Sequence, residues 1–343
     1  MSNPVVDIHA HALVPAAARL ADGHPGLARD REQEDRQFGT ASIAVNAELF
    51  AGQWLAPLTD LDTRLAAMDA VGVDIQVVSA TPTQYYYWAD AGLAERIVET
   101  VNGGLADLVA AASGRLAGLG TVALQHPRLA VRQLVDAVER FGMRGVEIST
   151  TAGGRDFSHA DLEPFWATAA DLGVLLFVHP WGCDYGDRLA RYYLGNTIGQ
   201  PLETTVALSH LICSGVLERH PTLKVCGAHG GGYLPQYIGR ADHAWAVRPE
   251  SRTTPRPPSH YLTQLYFDSL VYRADTLRGL LDAAGPTHVL LGTDYPFDMA
   301  DPDQRTLLEG LDGAARTAVA GANAAALLGL RSSTSALRAT PTC

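Results

Sequence analysis

The chain has 343 residues, is 47 % hydrophobic and carries a formal net charge of −11, a composition that can bury a sizeable core as one barrel of about 250 residues plus insertions. That charge, with no cluster of Lys and Arg to offset it, argues against nucleic acid and anionic membrane surfaces as partners and leaves small molecules. The apolar stretches are too short to span a bilayer, and Met1 to Pro4 lack the basic-then-apolar pattern of a secretion signal, so a cytoplasmic protein is expected.

Taken in chain order, strands alternate with helices and no solenoid repeat appears. The first apolar strand is Val5-Val6-Asp7-Ile8-His9-Ala10-His11. Helical periodicity then covers about Asp60 to Ala70, followed by a strand at Asp74 to Val78, a helix from about Asp90 to Ala112 and a strand near Leu116 to Val122. A helix from about Leu129 to Phe141 precedes a fourth strand at Gly145 to Ile148, and Asp161 to Leu172 forms the next helix. The fifth strand ends at His179, a helix runs from about Pro201 to Glu218, and the sixth strand ends at His229. A helix begun after Gly232 leads to the seventh strand, Leu265 to Asp268; the helix Ala274 to Ala283 leads to the eighth, which ends at Asp294. Helices continue to about Leu330. Eight strands, each followed by a helix, predict an α/β fold of the TIM-like (β/α)8 barrel type. Residues 1–330 read as a single domain, and the Ser/Thr/Ala-rich tail 331–343 is expected to fray.

Four of these strands end in a histidine or an aspartate: His9 and His11, His179, His229, and Asp294. Side chains at i and i+2 of a strand share a face, so His9 and His11 can reach one ion, although an H-x-H pair alone can arise by chance. Ligand-type residues at the ends of successive strands are what a barrel collects on one rim. Cys183, Cys213, Cys226 and Cys343 form no CxxC pair and read as reduced thiols. Two connections are long for their type. Ala12 to Thr59 is polar around Asp22 to Gly39 and apolar around Ile43 to Leu58, which suits either a lid or substrate wall or a plain surface excursion. Trp181 to Asn196 carries Trp181, Arg188, Arg191 and three tyrosines, which suit a flat anionic substrate or simply pack the connection against the barrel.

Asp7-Ile8-His9-Ala10-His11, Val178-His179-Pro180-Trp181, Gly227-Ala228-His229-Gly230-Gly231-Gly232 and Gly292-Thr293-Asp294-Tyr295-Pro296-Phe297, in this order, resemble the amidohydrolase superfamily. Within it the chain looks most like the branch of 2-amino-3-carboxymuconate-6-semialdehyde decarboxylase and related non-oxidative decarboxylases, over nearly its whole length. The resemblance implies that His9, His11, His179 and Asp294 bind one divalent metal, zinc first and manganese second on ligand type. It implies that His229 acts as the catalytic base beside the metal, with Asp294 also in the catalytic set, and that the protein is a homodimer. That branch grips a substrate carboxylate with an arginine in the first connection; none lies near Asn46 to Phe50, and Arg36 is the nearest. A second arginine, given by the neighbouring subunit, has its counterpart at Arg240. Trp181, Arg188, Arg191, Arg240, Tyr85 and Phe297 are therefore the candidate substrate contacts. Glu147 stands where some superfamily members carry a ligand to a second metal, but with no lysine there one metal is favoured.

The expected activity is metal-dependent, non-oxidative decarboxylation of an unsaturated or aromatic carboxylic acid. Hydrolysis of a lactone or amide, or hydration of an unsaturated diacid, would use the same residues. His229 precedes three glycines that open a helix, which is expected to offer free amides to an anion.

Overall fold

Val, Ile, Leu and Phe dominate the short strands because a strand covered on both faces has no polar side to present. The computed structural model describes residues 3–183, 185–301 and 304–330. Its parallel strands are β1 (Val6–Ala12), β2 (Ile75–Ala80), β3 (Leu116–Gly118), β4 (Gly120–Thr121), β5 (Gly145–Ile148), β6 (Leu175–Val178), β7 (Lys224–Gly227), β8 (Leu265–Asp268) and β9 (Val289–Leu290). They pair in the orders β1-β2-β3 and β4-β5-β6-β7-β8-β9. Leu119 alone separates β3 from β4, and its N–H still donates to the Val78 carbonyl at 2.9 Å, so the two are one barrel strand. At the other seam Ile8 N–H donates to Leu291 O at 2.8 Å, Asp294 N–H to His9 O at 2.9 Å and His11 N–H to Tyr295 O at 2.8 Å. The ring of eight strands is thereby closed into a TIM-like (β/α)8 barrel.

The eighth strand is shorter than its apolar run suggests. Val289–Leu290 alone pair with β8, and beyond them the run bonds to β1 across the seam, with Asp294 at φ 62°.

The covering helices are α1 (Pro15–Ala21), α2 (Pro25–Phe38), α3 (Thr40–Leu49), α4 (Leu55–Thr59), α5 (Leu61–Val71), α6 (Ala91–Ala111), α7 (Pro127–Glu139), α8 (Glu163–Leu172), α9 (Gln200–Cys213), α10 (Val216–Arg219), α11 (Leu234–Val247), α12 (Ala274–Ala284), α13 (Gln304–Glu309), α14 (Gly313–Thr317) and α15 (Asn323–Leu328). Their starts follow capping chemistry: the Asp60 carboxylate accepts the Thr63 N–H at 2.8 Å before α5, and Asp90 accepts the Leu93 N–H at 2.9 Å before α6. The connection Ala12 to Thr59 is a string of helices rather than a loop: α1, α2, α3, a π-helical turn at Phe50–Trp54, and α4. Among the described residues no helix is long and apolar enough to cross a membrane, and Cys213 and Cys226 are free thiols. Cys343 and the tail 331–343 lie outside the described residues.

Val77, Leu119, Phe177, Cys226 and Leu290 from successive strands pack with Ala324 and Leu328 of α15 in one buried cluster. Alternate positions on the same strands, such as Val78, Leu176 and Val225, belong to separate clusters formed with the helices. The first cluster fills the barrel beneath its C-terminal rim, and each fully buried Leu or Phe contributes about 1.5–3 kcal/mol. Phe177 is the top of that plug; its ring lies 4.9 Å from that of His9.

Candidate active site

Every polar residue singled out at a strand end lies at the C-terminal rim, where a barrel builds its sites. The Nε2 atoms of His9 and His11 approach to 3.2 Å. The donor atoms of His9, His179, His229 and Asp294 all lie within 4.8 Å of one another, and His11 Nε2 is 3.1 Å from Asp294 Oδ1. His9 Nδ1–H donates to Asp268 Oδ2 at 2.7 Å and His11 Nδ1–H to the Ala80 carbonyl at 3.3 Å. Neither of those acceptors can donate, so in each neutral ring Nδ1 carries the proton and Nε2 presents a lone pair. Two imidazole lone pairs facing each other beside a carboxylate repel unless a cation lies between them.

The remaining atoms point the same way. Both ring nitrogens of His179, His229 Nδ1 and Asp294 Oδ1 are buried without a hydrogen-bond partner, although such atoms are normally satisfied. His9 Nε2 lies 3.3 Å from Asp294 Oδ1, a separation that calls for a proton or a cation between the two. An all-nitrogen-and-oxygen donor set drawn from residues 9 to 294 fits a single divalent cation.

Charges around the cluster follow from burial and from one another. Burial and the neighbouring imidazoles of His11, His9 and His229 push the His179 pKa well below the usual histidine range. Burial opposes ionisation of Asp294, yet His9, His11 and His229 reverse that and hold its carboxyl well below the usual range. Burial likewise opposes charge on His9, and the carboxylates of Asp294 and Asp268 more than offset it. Asp294 at φ 62° and His229 at φ 54° both occupy the left-handed region, a conformation that costs a non-glycine residue about 1–3 kcal/mol and clusters at functional sites.

Sequence reasoning misses the residues that orient this cluster. Asp268, the last residue of β8, accepts from His9 Nδ1 and, at 2.9 and 2.7 Å, from the backbone N–H groups of His229 and Gly230. The amides expected to greet an external anion are thus taken up by an internal carboxylate, because β8 ends directly beneath them. Asp268 obeys the same rule as the recognised residues, a polar group closing an apolar strand, and that signal could have found it. Gly292 allows the approach of β1 to β8, since a Cβ there would sit 2.8 Å from Asp268 Cβ and 3.0 Å from His9 Cβ. Both oxygens of Glu147 are engaged, by Ser79 Oγ at 2.5 Å and Tyr85 OH at 2.6 Å.

A cavity of about 450 Å³ opens over the donors, with His179, His229 and Asp294 in its floor. The apolar half of the first connection forms one wall through Ile43, Ala47, Phe50, Trp54 and Leu58; Trp181 and Phe297 add to it, and Asn46, Tyr193, Asn196 and Asp298 supply polar groups. Phe297 lies 5.3 Å from the His11 ring and 5.2 Å, edge-on, from Trp54. Among the described residues Arg31 of α2 is the one Lys or Arg in the lining. Glu34, one turn on, has its pKa pushed up to about 7 by burial and by Asp30. Tyr85 is buried beneath the cavity with its hydroxyl on Glu147, and Arg188, Arg191 and Arg240 are exposed outside it. Arg191 shares a shallower surface depression with Arg36, away from the donors.

Residues 6–330 match the amidohydrolase family. The chain belongs to the amidohydrolase family. Among its amidohydrolase relatives, the 2-amino-3-carboxymuconate-6-semialdehyde decarboxylase of Dictyostelium discoideum is 33 % identical over 276 residues, 79 % of this chain and 77 % of the relative. The crystal structure of 5-carboxyvanillate decarboxylase from Sphingomonas paucimobilis superposes with a TM-score of 0.83 at 24 % identity, covering 96 % of this chain and 100 % of that one. A dihydroxybenzoic acid decarboxylase from Polaromonas sp., solved with manganese and the inhibitor 2-nitroresorcinol, gives a TM-score of 0.75 at 23 % identity over 98 % of this chain and 99 % of that one. These two structures share the barrel.

Proposed function

We propose that this chain is a metal-dependent, non-oxidative decarboxylase of an unsaturated or aromatic carboxylic acid, releasing carbon dioxide. The observation that carries the proposal is the cavity itself: a cation-fitting donor cluster floors a pocket walled by aromatic and aliphatic side chains. A planar acid seats its ring against Phe50, Trp54 and Phe297 and turns its carboxylate to the floor. Hydrolysis would in addition need a group aimed at a leaving atom, and the walls facing the floor are mainly apolar. The similarity to the semialdehyde decarboxylase supports the same reading.

His9, His11, His179 and Asp294 would hold the metal, which we assign as zinc, with manganese the alternative that the Polaromonas enzyme's ion suggests. A divalent ion there supplies positive charge toward which the electron density developing on the substrate can shift. The chain's own residues do the rest. His229 is the most exposed of the five donors, with its Nε2 3.5 Å from Asp294 Oδ2, and this pair holds the proton. The proton passes to the carbon bearing the carboxylate, the carbon–carbon bond breaks with its electron pair returning to the unsaturated system, and carbon dioxide leaves. One proton is taken up for each molecule released. The apolar walls exclude water from that carbon.

We assign residues 6–330 to one unit of a cytoplasmic homodimer, in which Arg240, exposed on α11, would be offered to the neighbouring subunit's cavity. The test is metal content of the purified protein together with a carbon dioxide release screen over hydroxybenzoates, aminobenzoates and muconate-type acids. Metal-dependent release from any of them is expected. Bound metal without release would move the assignment to lactone or amide hydrolysis, and absence of metal would overturn it.

A further inference from the structure

Arg64 lies on α5 and is 1 % exposed, and among the described residues its link to a carboxylate is indirect: Gln76, which it meets, donates to Asp7 Oδ2 at 2.9 Å. Its guanidinium ties together one side-chain oxygen and two backbone carbonyls from separate parts of the barrel rim. Nη1–H donates to Gln76 Oε1 on β2 at 2.6 Å, while Nη2–H donates both to the carbonyl of His11 and, at 3.1 Å, to the carbonyl of Pro57 in α4. The plane lies over the Tyr295 ring, 5.0 Å from its centre. A buried cation with no carboxylate in contact costs several kcal/mol, and a rigid planar fork with two terminal nitrogens reaches acceptors too far apart for a single ammonium. Burial pushes the Arg64 pKa down only to about 10, so the group keeps its charge at neutral pH.

The elements it joins have different tasks. His11 belongs to the donor cluster, Tyr295 follows Asp294, and Pro57 sits in the helix that carries the Leu58 end of the cavity wall. We propose that Arg64 is a positioning residue that locks the wall of the cavity to the metal-binding rim, so that order at the donors and order in the wall are one event. The inference rests on the metal site of the proposed function.

The test compares wild type with Arg64→Lys, which keeps the charge and loses the fork. Amide hydrogen exchange is followed across residues 50–59 without and with manganese, and manganese affinity is measured by competition with a chromophoric chelator. In the wild type, manganese is expected to slow exchange in 50–59. In Arg64→Lys that slowing is lost and affinity falls about tenfold, the low end for losing a group that orients a ligand. Exchange in the barrel strands is expected to stay slow. A variant that loses affinity but keeps the manganese effect in 50–59, or one that loosens 50–59 with affinity unchanged, overturns the coupling. If Arg64→Lys fails to fold, Tyr295→Leu, which removes only the ring face, is expected to shift both readouts together by about two- to fivefold; movement of one alone overturns the proposal. A wild-type protein that takes up no manganese or zinc refutes the functional reading itself, and does so before any substitution is made.

Discussion

Replacing Asp268 by Asn changes one atom and leaves the shape intact, so its effect isolates what the carboxylate does. Oδ2 accepts from His9 Nδ1 at 2.7 Å and from the His229 N–H at 2.9 Å, and Oδ1 accepts from the Gly230 N–H at 2.7 Å and the Leu270 N–H at 3.2 Å. An amide has one oxygen, so whichever way it turns, its NH2 faces two donors. Turned toward His9, it forces the imidazole proton onto Nε2 and removes that lone pair from the donor cluster. Turned the other way, it strands the Gly230 and Leu270 amides, at about 1–3 kcal/mol for each buried unsatisfied group. We expect metal affinity to fall about 10–100-fold, as for other groups that orient a ligand, which is about 1.4–2.7 kcal/mol. Titration of the metal-free protein against a chromophoric chelator measures this directly. An Asp268→Asn variant with wild-type affinity and an unchanged melting temperature would falsify the claim that Asp268 sets the His9 tautomer.

The other predictions are simpler. His229→Ala should keep the metal and lose turnover, since the group that holds the proton goes while the four assigned ligands stay; normal turnover would remove His229 from the chemistry. Asp294→Ala should weaken metal binding and turnover together, and loss of neither would take it out of the site. Gly292→Ala should destabilise the fold by about 1–3 kcal/mol through overpacking, because the new methyl meets Asp268 Cβ at 2.8 Å and His9 Cβ at 3.0 Å; an unaltered denaturation midpoint would contradict the close approach. Chelation should abolish turnover and lower the melting temperature, with metal at a hundredfold excess over its dissociation constant worth about 2.7 kcal/mol; a chelated protein that melts where the loaded one does would mean that the donors hold no ion.

Much of the barrel is legible in the chain because its strands are buried on both faces and end where polarity returns. Gly145–Ile148 and Leu265–Asp268 fall where the apolar runs place them. The first connection is harder to read. Ile43 to Leu58 is helical without a single apolar face, and α3 buries no residue in the core, because Ile43 and Ala47 face the cavity while Val45 faces solvent. Strand-end histidines and Asp294 can be recognised one at a time. Their supports cannot: Arg64 meets His11, and Ser79 meets Glu147, only after the strands have taken their order and register. Nothing in the local pattern around Arg31 distinguishes it from Arg29 and Arg36, which are exposed as it is, and only the placement of that helix over the rim brings it to the cavity.

The seam between the first strand and the last sets when the centre can exist. Asp7 accepts from the Thr293 N–H and hydroxyl, 286 residues away in the chain, and Asp294 N–H donates to His9 O across the same junction. At about 5–20 residues per second of synthesis, His9 waits about 15–60 s for its partner. A ribosome-bound chain that has made seven strands therefore carries an incomplete donor set and an open barrel edge. Asp294 and the closing strand arrive together, and a prematurely terminated product would lack both.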